Sequence, residues 1–379
     1  MKIVFLQNKG GNYGGVWQVN KMVGEALINK GYEVSIVSIR DDHFGLTLEH
    51  DERLEVVTIN EKDIWHTYYG SDFKESLSGL HFIRLTKQIF HRLRNIKRLK
   101  NDKNNLTKYL DNYKPDYIVV SQYQVLDLIE DKYLPITFMH QHGSFIDTFS
   151  NNANKETFYK YNNKIKGFIW LTKKTMEETN NNGLSNNYYI YDAVRFSSDS
   201  LADVANNKKL VSLSRLSSEK RIDLMINIME EVFSDNKYSD WVFEIYGDGE
   251  ELDNLSKLIK SPQIKLMGST DNPKEVMLSS SINLNTSIHE GFCLTIIEGY
   301  ECGIPTISFD SGEQIEEVII NNKTGFIAKD KTDYINKVKE LMDNPDFLKE
   351  MSLNAKEYNK NFTIDKIVND WDNLFHNVK

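Results

Sequence analysis

A chain of 379 residues is too long for one ordinary hydrophobic core, so two domains are expected. Its 40% hydrophobic and 27% charged residues give a globular balance, and a net charge of −9 argues against general nucleic-acid binding. Two cysteines, Cys293 and Cys302, imply no disulfide framework and fit a reducing cytoplasm, and no apolar stretch approaches the ~18 residues that a membrane span needs.

The opening residues, Met1 to Gln7, read as a first strand and not as a signal peptide. Short runs rich in Val, Ile, Tyr and Phe are expected as buried parallel strands at Lys2–Leu6, Glu33–Ser38, Leu54–Thr58, Tyr117–Val120, Ile136–Met139 and Gly167–Leu171. Helices are expected between them at Val16–Lys30 and about Phe82–Leu110. A second series begins near Lys209, with strands at Leu210–Leu213, Trp241–Tyr246, Ile264–Met267, Ile282–Thr286 and Thr306–Phe309. Its helices fall near Ile222–Phe233, Leu252–Ile259, Pro273–Leu278 and Leu294–Cys302, followed by Pro345–Lys360 and Ile364–Asn377. The alternation, run twice, predicts an α/β protein of two doubly wound domains. The polar stretch Tyr191–Lys208 marks the join, which gives domains at 1–195 and 196–360 and a terminal helix over 361–379. In such sheets ligands bind beyond the carboxyl ends of the strands, so chemistry is sought in the loops there.

Two glutamates stand out in the stretch HEGFCLTIIEGYECGIP, Glu290 in a strand-to-helix loop and Glu298 within the helix. Main-chain N–H groups at Gly291, Phe292, Cys293 and Leu294 would open that helix, an arrangement suited to an anion. One carboxylate could meet ribose hydroxyls and the other those of a sugar. The plainer alternatives are a capping box, Thr295 to Glu298, and an exposed loop charge at Glu290. After the strand Leu210–Leu213, Arg215 and Lys220 could grip a diphosphate, or belong to a solvated basic loop. Glycines at 10, 11, 14 and 15 follow the first strand, but the spacing is not the dinucleotide fingerprint. His140 and His142 end a strand beside Gly143 and could donate to a sugar or phosphate, or serve structure; a metal reading is poorer, since no acid or cysteine nearby has ligand spacing. The turn YGDGEE at 246–251 reads as mostly architectural. From Arg84 to Lys103 basic residues interleave with Leu85, Ile89, Phe90, Leu93, Ile96 and Leu99, a pattern that fits either contact with an anionic membrane surface or a solvated helix face. Asp370-Trp-Asp372 is the one Asp-x-Asp, and it lies in the terminal helix, so a metal bridging a diphosphate is not indicated.

Together these pieces resemble the family 4 glycosyltransferases of the GT-B fold, in which two Rossmann-like domains face each other across a cleft. The resemblance covers most of the chain and is densest from about 209 to 330. It is carried by Arg215 and Lys220, Tyr246-Gly-Asp-Gly-Glu, Leu266-Met-Gly268, His289-Glu-Gly-Phe with Glu298, Cys302-Gly-Ile-Pro305 and Asn322-Lys-Thr-Gly-Phe326. It implies retaining, metal-independent transfer from a nucleotide-diphospho-sugar, with no cofactor beyond the UDP-sugar co-substrate and a carbohydrate-bearing acceptor as partner. By that analogy Glu298 holds the ribose, Glu290 the donor sugar, and Arg215 and Lys220 the diphosphate. Main chain near Leu266 and Met267 meets the base, and the run from Gly291 to Thr295 lines the donor. Gly14, Gly15 and one of His140 and His142 complete the cleft from the first domain, onto which the last helix would pack back. Cys293 departs from the pattern, standing where the family often has glycine. The implied setting is cytoplasmic, peripheral on the inner membrane face, in synthesis of a bacterial cell-surface polysaccharide. Alternative readings are a non-catalytic GT-B partner of an active transferase and a sugar-nucleotide synthase or epimerase.

Overall fold

Parallel strands joined by helical crossovers recur along the chain in the computed structural model, which describes residues 1–10, 15–41, 49–60, 82–143, 145–150, 152–288 and 290–378. Residues 1–141 with 157–168 make one compact unit, and 142–156 with 169–379 make the other.

The first unit is built on β1 (Lys2–Gly10), β2 (Glu33–Asp41), β3 (Glu55–Asn60), β4 (Tyr117–Val120) and β5 (Thr137–Gln141). The sheet continues through β6 (Gly167–Trp170) to β7 (Asn187–Tyr189), in the order β3-β2-β1-β4-β5-β6-β7, and the division between units falls within β6. The pairings among the first five strands are parallel. Ile3, Val4, Phe5 and Leu6 are all fully buried, as successive side chains must be when both faces of a strand are covered. Where the strand order reverses, between β1 and β4, a buried polar cluster closes. Asn20 of helix Gly15–Asn29 donates to Gln7 (3.2 Å) and Ser121 (3.0 Å), and Gln7 donates to Ser38 (3.1 Å). Helix Phe82–Tyr113 buries Leu106 and Leu110, and its Asp102 takes Arg40 at 2.6 Å.

The second sheet consists of β8 (Lys209–Leu213), β9 (Val242–Tyr246), β10 (Ile264–Gly268), β11 (Ile282–Asn285), β12 (Thr306–Phe309) and β13 (Gly325–Ala328). Its order is β10-β9-β8-β11-β12-β13, every pairing is parallel, and the order reverses between β8 and β11. Helix Ile222–Phe233 lays Met225, Ile226, Met229 and Val232 on the strands, all fully buried. On β11, Asn283 donates to Thr306 Oγ1 (3.0 Å) and Asn285 to Ser308 Oγ (3.1 Å), each to the residue it pairs with on β12. The two sheets are Rossmann-like α/β assemblies, the expected fold class.

The structure adds elements that the expectations above do not name. β7 has three residues in an asparagine-rich stretch, and β13 starts at Gly325, a poor strand former. A Cβ on Gly325 would lie 2.2 Å from Thr306 O, so close approach of β12 fixes the glycine there. Helix Glu313–Val318 has only six residues. Helix Lys331–Asp343 is amphipathic and capped by Asp330, whose carboxylate accepts from Asp333 N, a start signal present in the sequence.

Candidate functional site

Two charged loops leave the second sheet at its switch point. The loop after β8 runs from Ser214 to Arg221, which adopts a left-handed backbone (φ 50°) before helix Ile222–Phe233. The loop after β11 runs on to helix Leu294–Glu301. Thr286 Oγ1 lies 2.9 Å from Lys220 O and 3.0 Å from Arg221 O, and Ile288 N donates to Glu219 O at 2.9 Å. Stapled in this way, the loops bring Lys220 Nζ to 2.8 Å from Glu290 Oε1, with side chains only 16% and 13% exposed. Glu290 is therefore no free loop charge, and Lys220 is no solvated cation.

Behind the β8 loop the turn after β9 is built on close approach. Leu216 N donates to Asp248 O at 2.9 Å. A Cβ on Gly247 would lie 1.8 Å from Ser214 O, and one on Gly249 2.3 Å from Leu216 O, both at positive φ. The 246–251 turn is thus architectural, as expected: it supports the Lys220 loop from below. Arg215 has a different place. Its side chain is 75% exposed and its guanidinium reaches Glu219 at 2.6 Å, a solvated i,i+4 pair.

The β11 loop packs against the chain after β5. A Cβ on Gly291 would lie 2.0 Å from His142 O, so only glycine fits. Phe292 is buried against Tyr191 (5.6 Å between centroids) and Phe362 (5.5 Å). Cys293 caps helix Leu294–Glu301 from a left-handed backbone (φ 62°) and gives it no side-chain capping bond; its Sγ lies 3.5 Å from Thr295 Oγ1. Burial pushes its thiol well above the usual range; the Glu290 charge adds to this and Lys220 opposes it. Leu294 and Thr295 are half-buried in the first turn, where helical N–H groups have no partner inside the helix.

Glu298 is fully buried, and the capping-box alternative fails, because the helix is capped at Cys293 and the carboxylate turns to a different residue. Arg195 donates Nε to Oε1 and Nη2 to Oε2, the second bond at 2.9 Å. Burial works against the guanidinium charge, but the hydrogen bond and the charge of Glu298 outweigh it and hold the Arg195 pKa above its ordinary value. Sequence reasoning missed Arg195; the signal was indirect, a carboxylate in an apolar run that demands a cation from somewhere. It also missed Glu301, a buried hub that accepts from Ser198 N (2.7 Å), Lys356 Nζ (2.9 Å) and Asn359 Nδ2 (2.6 Å).

The remaining expected residues have different places, although His142 main chain lies against Gly291. Leu266 and Met267 lie on β10, at the edge of the second sheet, Leu266 half-buried and Met267 43% exposed. His142 belongs to the second unit, with Nδ1 3.9 Å from Asp192 Oδ2, so an acid does stand beside it, contrary to the expectation from local spacing; His140 is buried on β5 in the first unit. Gly15 opens its helix and is exposed; Gly14 and His289 lie outside the described residues. Asp370 pairs with Lys366 at 2.5 Å and Asp372 with His376 at 3.2 Å. On helix Phe82–Tyr113, Ile96 and Leu99 are 56% and 49% exposed beside exposed Lys97 and Lys100, while the side chains of Arg84, Lys87, Arg92 and Arg94 lie outside the described residues. Among the described residues no helix is long and apolar enough to cross a membrane.

Residues 195–358, which hold the Lys220–Glu290 and Arg195–Glu298 pairs, match the family Glycosyl transferases group 1. Poly(ribitol-phosphate) alpha-N-acetylglucosaminyltransferase of Staphylococcus aureus is 26% identical over 250 residues, 64% of this chain and 50% of that protein. The chain spans about half the length of the curated relatives it matches. A point mutant of S. aureus TarM, crystallised with fondaparinux, alpha-GlcNAc-glycerol and UDP, is similar at a TM-score of 0.74 and 18% identity, over 99% of this chain and 100% of that one. Anabaena Alr3699/HepE in complex with UDP-glucose is similar at a TM-score of 0.74 and 16% identity, over 100% of both chains. At these identities the likeness establishes the fold, that of GT-B glycosyltransferase structures.

Proposed function

We propose that the chain is a family 4 glycosyltransferase that moves a hexose or N-acetylhexosamine from a UDP-sugar to a glycan, lipid-linked or protein-linked acceptor, with retention at the anomeric carbon. One observation carries this reading: a lysine and a glutamate, both mostly buried, meet at the switch point of the second sheet. Open α/β sheets take their ligands there. The family match over 195–358 and relatives named for N-acetylglucosaminyl transfer, UDP and UDP-glucose support it.

In the free chain Lys220 and Glu290 neutralise each other. A bound donor replaces that contact, with Lys220 turning to the diphosphate and Glu290 to sugar hydroxyls. The bond between the anomeric carbon and the phosphate oxygen breaks, its electron pair leaves with UDP, and the acceptor oxygen bonds to that carbon. The acceptor proton passes to the departing phosphate, so no separate protein base is required. Lys220 and the N–H groups opening helix Leu294–Glu301 supply the positive potential toward which that charge develops. This mechanism runs without a metal or further cofactor. Arg215 would join Lys220 only by leaving Glu219. Met267 and Leu266 would border the base.

The same reading puts the protein in the cytoplasm, peripheral on the membrane's inner face through Arg84–Lys103. Sedimentation with anionic but not neutral vesicles tests this, and equal recovery with both would retire it.

The function itself is tested with a panel of UDP- and GDP-sugars scored by thermal shift and by slow donor hydrolysis. A UDP-sugar that both stabilises the chain and is hydrolysed is the expected result. Binding without hydrolysis would favour a non-catalytic partner, and no shift with any nucleotide sugar would refute the proposal.

A further inference from the structure

Glu298 has no exposed surface, and one guanidinium takes both its oxygens. A carboxylate offers about four lone-pair sites, so Arg195 leaves two unfilled.

We infer that Arg195 is a positioning residue, which fixes the plane of the Glu298 carboxylate so that the remaining lone pairs accept a vicinal diol of the donor's nucleotide. This rests on the donor-site reading above and adds the residue on which Glu298 depends. The pair meets solvent on the Arg195 side, where the side chain is 32% exposed. Arg195 lies in the connecting segment after β7, so the connector takes part in the site.

Other charges near this helix are already engaged. Lys356 is held by Glu301, and Lys274 Nζ donates to Ser197 O at 2.8 Å. Lys220 is paired with Glu290, and Lys360 with Glu357. Glu275, Asp346, Lys349 and Glu350 on the packed helices are exposed. Cys302, within electrostatic reach of Glu298, has its thiol pushed up to about 12, chiefly by burial, and stays neutral. Arg195 is thus the cation bonded to Glu298.

The test is the affinity of UDP and of 2′-deoxy-UDP by calorimetry for wild type, R195M, R195K, E298Q and R195M/E298Q, with thermal melts to verify folding. R195M should lose about tenfold or more toward UDP and much less toward the deoxy analogue, which already lacks one of the hydroxyls. R195K should fall between, and the double variant should lose no more than E298Q alone. An equal loss toward both nucleotides in R195M, or wild-type affinity for UDP, overturns the inference while leaving the function standing. Wild-type chain that fails to bind UDP would instead overturn the function, and this inference with it.

Discussion

Replacing Lys220 by Met removes one half of the pair at the switch point and nearly preserves its bulk. Two effects follow, with separable magnitudes. Breaking a buried ion pair from one side costs about 3–5 kcal/mol, because the other charge is left behind. Glu290 is 13% exposed and faces the start of helix Leu294–Glu301, which discounts the figure to about 1–2 kcal/mol. E290Q on top of K220M should return most of that loss, so a double-mutant cycle by chemical denaturation reads the coupling. On the proposed function, the effect on turnover is larger. Loss of one fixed group that stabilises the departing charge costs on the order of 3 kcal/mol, or roughly 150-fold in rate. UDP release from a UDP-sugar, followed by a coupled assay, should show that fall in kcat. The reasoning is refuted if folded K220M keeps kcat within about threefold of wild type.

Two further perturbations test the support of the site. Gly291→Ala would drive a Cβ to 2.0 Å from His142 O, main chain that has no rotamer to yield. Its expected cost is about 2 kcal/mol or more in stability, with turnover down at least about tenfold; unchanged melting and turnover would show that the loops slide apart freely. Glu301→Ala takes the carboxylate away from Ser198 N, Asn359 Nδ2 and Lys356 Nζ, of which Lys356 keeps two main-chain carbonyls, Ser198 O (2.9 Å) and Glu301 O (2.8 Å). About 2–3 kcal/mol should be lost and the melting transition should fall on the order of 5–10 °C. A shift below 2 °C would mean that water replaces the carboxylate.

Much of this was legible in the sequence because parallel strands are continuous apolar runs. Tyr117–Val120, Thr306–Phe309, Ile222–Phe233 and Ile364–Asn377 begin and end where the residues say. β7 and β13 were not legible: three or four residues, one set asparagine-rich and the other opened by glycine, become strands only because neighbours offer an edge. The site divides in the same way. Glu290, Glu298 and Lys220 could be named because loops after strands can be located from local pattern. That Lys220 meets Glu290 across 70 positions, or that Glu298 belongs to Arg195 across 103, is decided by strand order, which no local window contains. Arg215 shows the reverse error of emphasis: in the same loop as Lys220, it faces water, since nothing in a basic pair tells which member turns inward.

The asparagines of β11 have a consequence for assembly. Asn283 and Asn285 each recognise one hydroxyl partner on β12, two steps apart, like teeth of a key. A misthreaded pairing, shifted by one residue, would set those amides against apolar neighbours (Ile307 and Phe309, or Pro305 and Ile307) and strand both, at about 1–3 kcal/mol apiece. The wrong alignment is thereby rejected while the sheet is still forming, and Glu290, five residues beyond the second tooth, reaches Lys220 only in a chain that has been threaded correctly.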